Sequence, residues 1–248
     1  MNIALQLYSV RKSLKADFWG TMRSVRAMGY TGVEGFGVPA CTAQEFKAAL
    51  CDTGLAIVGW HQNLAGLTPE ALPMTMTYHK TLGLRQIAVP SYGKDGFASP
   101  EACAATAAVL QDAAVRLRPY GMTLGYHNHA YEYEAVYGGV AGMELVLQGA
   151  PSVFFQLDTG NALSGGGDIY GCFDRFPGRF DTVHFKPYAK SSQYDTMIGT
   201  DDTDWQKLIT LCRGKGGTQW AVIEYEKDED GKDLANVETA LNALAKYI

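Results

Sequence analysis

Several features are scarce in this sequence, and each scarcity narrows what the protein can be. There is no concentrated run of Lys and Arg: 21 basic residues are spread among 26 acidic ones, for a formal net charge of −5 over 248 residues. A nucleic-acid-binding surface needs a clustered cationic footprint, so no nucleic-acid partner is expected. Long hydrophobic runs are missing too. None approaches the roughly 20 residues needed to cross a bilayer, so no membrane partner is expected. The opening M-N-I-A-L-Q-L-Y-S-V-R lacks the basic segment, apolar run and small-residue site of a secretory leader. Cysteine is sparse and scattered: Cys41, Cys51, Cys103, Cys172 and Cys212 are odd in number and form no C-x-x-C pair. This argues against a disulfide framework or a cysteine-built zinc site. The thiols read as small apolar residues of a protein kept in a reducing, cytoplasmic compartment. No glycine-rich phosphate loop follows the first strand, so a phosphorylated substrate is not expected.

What is present is an apolar, rhythmic chain. Apolar residues make up 47% of the sequence, enough for a large core. Short β-rich runs recur at 3–8, 32–36, 56–60, 86–90, 122–127, 153–158, 182–186 and 220–224. Several are near-continuously apolar, as parallel strands buried on both faces must be. Helical stretches lie between them. Phe18 to Met28 has helical apolar spacing and ends at Gly29. Thr42 to Cys51 opens with a capping-box pattern, Thr42 followed by Glu45. Ser99-Pro100-Glu101 starts an alanine-rich helix, and Val237 to Tyr247 closes the chain. Eight βα units without a Pro-, Gly- or Ser-rich linker predict a single (β/α)8 TIM barrel over residues 1–248. An open doubly wound sheet is the rival, and the missing phosphate loop counts against it.

The active site of such a barrel lies at the C-terminal strand ends, and ionisable residues gather there. Strand two offers Glu34, strand three His61, strand five His127 and His129, strand six Asp158, strand seven His184 and Lys186, and strand eight Glu224 and Glu226. Of the five histidines only His79 lies elsewhere. Each residue alone also has a structural reading, as a hydrogen-bonded or ion-paired group. Asp158, His184 and Glu224 end or interrupt apolar runs, so if buried they must be paired, hydrogen-bonded or metal-bound. Mixed Asp, His and Glu donors without cysteine suit one divalent ion, Mn²⁺, Mg²⁺, Co²⁺ or Zn²⁺. A fourth ligand is expected from strand five. Residues two apart share a strand face, so His127 lies below His129, His184 below Lys186 and Glu224 below Glu226. The deeper member of each pair suits a metal, the outer one a substrate or acid–base role. Trp60, beside His61, is the aromatic residue best placed in sequence to stack on a sugar ring.

The segments L-Q-L-Y-S-V-R, G-Y-T-G-V-E, H-N-H-A-Y-E-Y, L-D-T-G-N, V-H-F-K and V-I-E-Y-E, in this order, resemble the xylose isomerase-like TIM barrels, the sugar phosphate isomerase/epimerase group. M-I-G-T-D-D-T-D-W resembles the group's pattern before the last strand, with Asp202 where a glycine is common. The resemblance implies one divalent metal held by Glu, Asp, His and Glu from strands five to eight. Asp158, His184 and Glu224 match the last three. His127 stands where the first glutamate belongs, with Glu132 as the alternative carboxylate. Asn161 stands where many members carry a substrate-binding histidine.

The implied chemistry is proton removal next to a carbonyl of a sugar or keto-sugar, with Glu224, His129 and Lys186 as acid–base candidates. Glu34, His61, Trp60, Asn161 and Glu226 are the substrate-binding candidates. Isomerisation or epimerisation is the first expectation. Elimination, as in inosose dehydratase or 3-keto-glycoside lyases, is the alternative, because His127 removes one carboxylate from a two-base relay. An apurinic endonuclease would need more His and Glu ligands and a basic groove, and a non-catalytic sugar-binding barrel would not need intact ligands. Dimers and tetramers are common among members, so a homo-oligomer is compatible with the sequence.

Overall fold

The computed structural model describes residues 1–37, 41–227 and 231–248. Eight parallel strands form the barrel: β1 Asn2–Gln6, β2 Gly32–Phe36, β3 Ala56–His61, β4 Gln86–Val89, β5 Thr123–His127, β6 Val153–Gln156, β7 Thr182–Phe185 and β8 Trp220–Ile223. Their hydrogen-bonded order runs β6-β5-β4-β3-β2-β1-β8-β7. The two outer strands meet through a parallel bridge between Asp158 and His184, in which His184 N donates to Leu157 O at 2.8 Å. The barrel therefore closes at two of the residues singled out above.

Helices form where the sequence supplies their ends. Asp17 caps Phe18–Met28 by accepting from Gly20 N, and Gly29 ends it with φ at 111°, a left-handed conformation that glycine tolerates best. Thr42 and Glu45 make the full capping box of Ala43–Thr53. Ser99 accepts from Ala102 N to start Pro100–Leu117. Two expectations shift. The first strand ends at Gln6, and Leu7–Val10 turns into a 3-10 helix. The last helix is Asp233–Leu244 rather than Val237 to Tyr247. Leu72–Leu82, which carries His79, is a helix that the sequence reading did not identify.

The main apolar core lies between the barrel wall and the helices. The lumen is different. Its floor is a small cluster of Ala4, Val58 and Val222, and above it the inward-facing residues are polar. A register shift in the β2–β3 pairing takes Val33 opposite Ile57 and Glu34 opposite Gly59, so Val58 has no partner there. No described helix is long and apolar enough to cross a membrane.

Candidate metal centre

Gln6, Glu34, Gln156 and His184 form a buried polar tier inside the barrel, each no more than 1% exposed. Glu34 Oε2 accepts from Gln6 Nε2 at 2.8 Å, and Glu34 Oε1 from Gln156 Nε2 at 2.7 Å. Gln156 Oε1 lies 2.7 Å from His61 Nε2. His184 is held between two carboxylates: its Nε2 is 2.6 Å from Glu34 Oε2 and its Nδ1 is 2.5 Å from Glu224 Oε2. Burial disfavours a charged ring, yet these two carboxylates outweigh it and hold His184 up at about 10. The same contacts work in reverse on Glu34. Burial pushes its carboxyl up, but His61 and His184 bring it below the ordinary value.

The next tier is the candidate metal centre. One donor atom each from His127, Asp158, His184 and Glu224 lies within 4.8 Å of every other. His61, His127 and His184 form an overlapping group under the same criterion. Asp158 is held rigidly. Its backbone N donates to Asn128 Oδ1 at 2.8 Å, its backbone O accepts from Asn128 Nδ2 at 3.2 Å, and its Oδ1 accepts from Asn161 N at 2.7 Å. That leaves Asp158 Oδ2 buried without a hydrogen-bond partner, and His127 Nδ1 is orphaned in the same way. Burial raises the Asp158 carboxyl to about 7, although Lys186 and His184 draw it down. Burial, reinforced by His184 and His61, keeps His127 well below its ordinary value and therefore neutral near pH 7. Two imidazoles and two carboxylates, one with an unpartnered buried oxygen, are a donor set that fits a divalent cation.

Lys186 crosses the edge of this cluster. Its ammonium donates to Glu224 Oε1 at 3.1 Å and to Glu226, and it sits 5.4 Å from the centre of the Tyr194 ring. Burial opposes its charge, but Glu224, Asp158 and Glu226 together raise Lys186 well above its ordinary value. His129 stands one tier above His127. Its Nδ1 is buried without a partner, its ring stacks on Tyr131 at 5.8 Å, and burial followed by the Lys186 charge lowers its pKa. Over the cluster opens a cavity of about 350 Å³, lined by His61, His127, His129, Glu224 and Glu226 together with Gln6, Tyr8 and Asn63. A second, of about 400 Å³, lies beside it and shares Glu226, with Lys186, Asn161 and Tyr194 in its wall.

Several sequence expectations land elsewhere. Trp60 is 1% exposed and faces out of the barrel, packing on Phe46, Tyr78 and His79 with its Nε1 donating to Gly37 O at 3.0 Å. Adjacent strand residues point to opposite faces, so an inward His61 forces Trp60 outward. Glu132 is not part of the donor cluster. Its carboxylate accepts from Tyr126 Oη at 2.9 Å and from His129 N at 2.8 Å, so it ties down the loop after β5. Glu34 lies below the donor cluster and does not line the cavity above it. Asn161 is at the site, but its side chain already donates to Asn128 O at 3.1 Å and accepts from Tyr194 Oη at 3.0 Å. Gln6, Gln156 and Asn128 were not foreseen. A glutamine two places before Asp158 in V-F-F-Q-L-D shares its strand face, and that parity was the available signal.

The chain is similar in structure to a sugar phosphate isomerase/epimerase from Parabacteroides distasonis, with a TM-score of 0.83 and 22% identity over 100% of this chain and 95% of that one. It is similar to a probable 3-DHS dehydratase, AsbF, from Bacillus anthracis, with a TM-score of 0.75 and 15% identity over 98% of each chain. A third neighbour is the IolI protein with a bound zinc atom, with a TM-score of 0.70 and 12% identity over 100% of this chain and 99% of that one. At these identities the likeness establishes the fold. No curated protein matches the sequence. The sequence profile of the xylose isomerase-like TIM barrels, however, matches residues 22–247, and the chain belongs to that family.

Proposed function

We propose that the protein is a metal-dependent isomerase or epimerase of a sugar or keto-sugar. The observation that carries this reading is the buried four-donor cluster with its unpartnered Asp158 oxygen, placed beneath an open cavity. His127, Asp158, His184 and Glu224 would hold one divalent ion, which polarises a substrate carbonyl when bound. The remaining work falls to the chain itself. His129, neutral and facing the cavity, is the base that takes the proton from the carbon next to the carbonyl. Lys186 is the acid: a buried ammonium between Glu224 and Glu226, it supplies a proton to a substrate oxygen. His61 and Glu226 line the walls within which a polyhydroxylated substrate would be oriented. Returning a proton to the neighbouring carbon gives the isomer, and delivering one to the opposite face of the same carbon gives the epimer. If a β-substituent leaves instead, its C–O bond breaks and Lys186 protonates the departing oxygen, which is the lyase reading. His127 stands where the family's pattern has a carboxylate, which takes one base from a two-base relay and supports that second reading.

The neighbours named above include both an isomerase/epimerase and a dehydratase, which supports carbonyl-adjacent proton transfer as the common denominator. The test has two parts. Titration with Mn²⁺, Co²⁺ and Zn²⁺ is expected to show one tight site, lost in Asp158→Ala and His184→Ala. The ion-loaded protein is then incubated in D2O with ketohexoses and 3-keto-glucosides, with NMR following deuterium at the carbon beside the carbonyl. Absence of ion binding by the wild type refutes the reading, and an unsaturated product with no epimer selects the lyase.

A further inference from the structure

Glu34 is a buried carboxylate with four polar partners, yet it lines neither of the two mouth cavities. It is 1% exposed and takes hydrogen bonds from Gln6 and Gln156 while lying 2.6 Å from His184 Nε2 and 3.4 Å from His61 Nε2. The two imidazoles are stacked, with ring centres 5.2 Å apart and planes 9° apart, so one carboxylate spans both. Its berth is built into the backbone. The register shift before Glu34 sets it opposite Gly59, and a Cβ on Gly59 would lie 2.4 Å from Glu34 Oε1. Gly59 has no left-handed φ among the positive-φ glycines, so its role here is space rather than conformation. A bulge and a glycine thus make room for a charge in the middle of the barrel, where burying one without partners is costly.

The chemical consequence lies in His184. A carboxylate can only accept, so the nitrogen facing Glu34 must carry a proton. The same holds for Nδ1 beside Glu224, so both ring nitrogens carry protons as the site stands; an ion taking Glu224 would displace the Nδ1 proton and make that nitrogen the lone-pair donor, while Nε2 keeps its proton on Glu34. We infer that Glu34 is a positioning residue for the candidate metal centre, fixing the tautomer and orientation of His184 through Nε2 so that Nδ1 faces the ion, with Gly59 as the space that admits it. This rests on the ion-binding reading above. Carboxylates that hold a ligating histidine by its far nitrogen commonly account for about 10–100-fold in metal affinity.

The experiment is a Co²⁺ titration of the ion-free protein, read by isothermal calorimetry and by the visible absorption of bound cobalt, which reports the ligand geometry. Glu34→Gln and Gly59→Ala disturb the contact in independent ways, one by removing charge and one by crowding. Both are expected to weaken Co²⁺ binding by roughly 10-fold or more and to alter its absorption band. Thr182→Val is the control. It removes the 2.9 Å bond from Gln156 Nε2 to Thr182 Oγ1, in the same buried network and two residues before His184 on the same strand but on neither of the two bonds that hold the His184 ring, and is expected to keep the wild-type affinity within about twofold. Circular dichroism and Tm of each ion-free variant establish that it is folded. If both test variants bind Co²⁺ with unchanged affinity and spectrum, or if Thr182→Val loses as much as they do, the positioning role is overturned. If the wild type itself binds no Co²⁺, the ion reading falls, and this inference with it.

Discussion

At the scale of single residues, the centre is a contest among charges for the same carboxylates. Glu224 Oε2 meets His184 and Glu224 Oε1 meets Lys186, so its two oxygens face different cations. Burial pushes the Glu224 carboxyl up, yet Lys186 and His184 bring it well below the ordinary value. A divalent ion would have to share Glu224 with the ammonium. Lys186→Met keeps the apolar stem and removes this competitor. Ion affinity, measured by calorimetry, is expected to stay equal or tighten, while turnover falls by about 100-fold or more, the usual loss when a proton donor is removed. Turnover at the wild-type rate would end the role of Lys186 as the acid. The pair Trp60 and His61 shows what residue-level reading can and cannot do. Proximity in sequence suggested a shared site, but strand alternation separates neighbours, and the parity rule was enough to place Trp60 outside.

At the scale of elements, the loop after β5 is tied to its strand by a buried carboxylate. Glu132 joins Tyr126 on the strand to His129 in the loop. Burial raises the Glu132 carboxyl from 4.5 to about 7, against the pull of those hydrogen bonds. A carboxyl raised in the folded state contributes stability that is complete below its unfolded value and is lost as pH climbs through the folded one. The ion-free wild type should therefore lose stability relative to Glu132→Gln between about pH 4.5 and pH 7, by at most about 3.5 kcal/mol at about 1.4 kcal/mol per pKa unit. Thermal unfolding of both proteins at pH 5 and pH 8 measures it. A difference in Tm that does not change with pH would refute this account of Glu132. The strands themselves were legible because a parallel barrel buries both faces and leaves apolar runs. The capped helices were legible because Asp17, Thr42 and Ser99 bond directly to their first turns. Leu72–Leu82 has no side-chain cap and was not.

At the scale of the whole molecule, the grouping of His127, Asp158, His184 and Glu224 was readable from strand order, since neighbouring strand ends converge in a barrel. Depth was not. Whether Glu34 reaches the mouth or stays below it depends on a register shift and on empty space at Gly59, neither of which leaves a periodic trace. The choice between His127 and Glu132 depended likewise on where a short loop helix, Tyr131–Glu134, turns its first residues. The seam of the barrel carries a further consequence. Asp158 and His184 complete the wall between β6 and β7 and also belong to the donor cluster, so a cation bridging them would rivet the last open joint of the cylinder. Opening that joint would then require releasing the ion. Amide hydrogen exchange reads this directly: the His184 and Asp158 N–H groups, bonded to Leu157 O and Asn128 Oδ1, should exchange up to about 100-fold more slowly with ion at 100 times its Kd. Amides at the β2–β3 pairing, on the far wall, should slow less. Uniform slowing around the barrel would mean that the cylinder opens as one piece, and no slowing at the seam would mean that the ion does not bridge it.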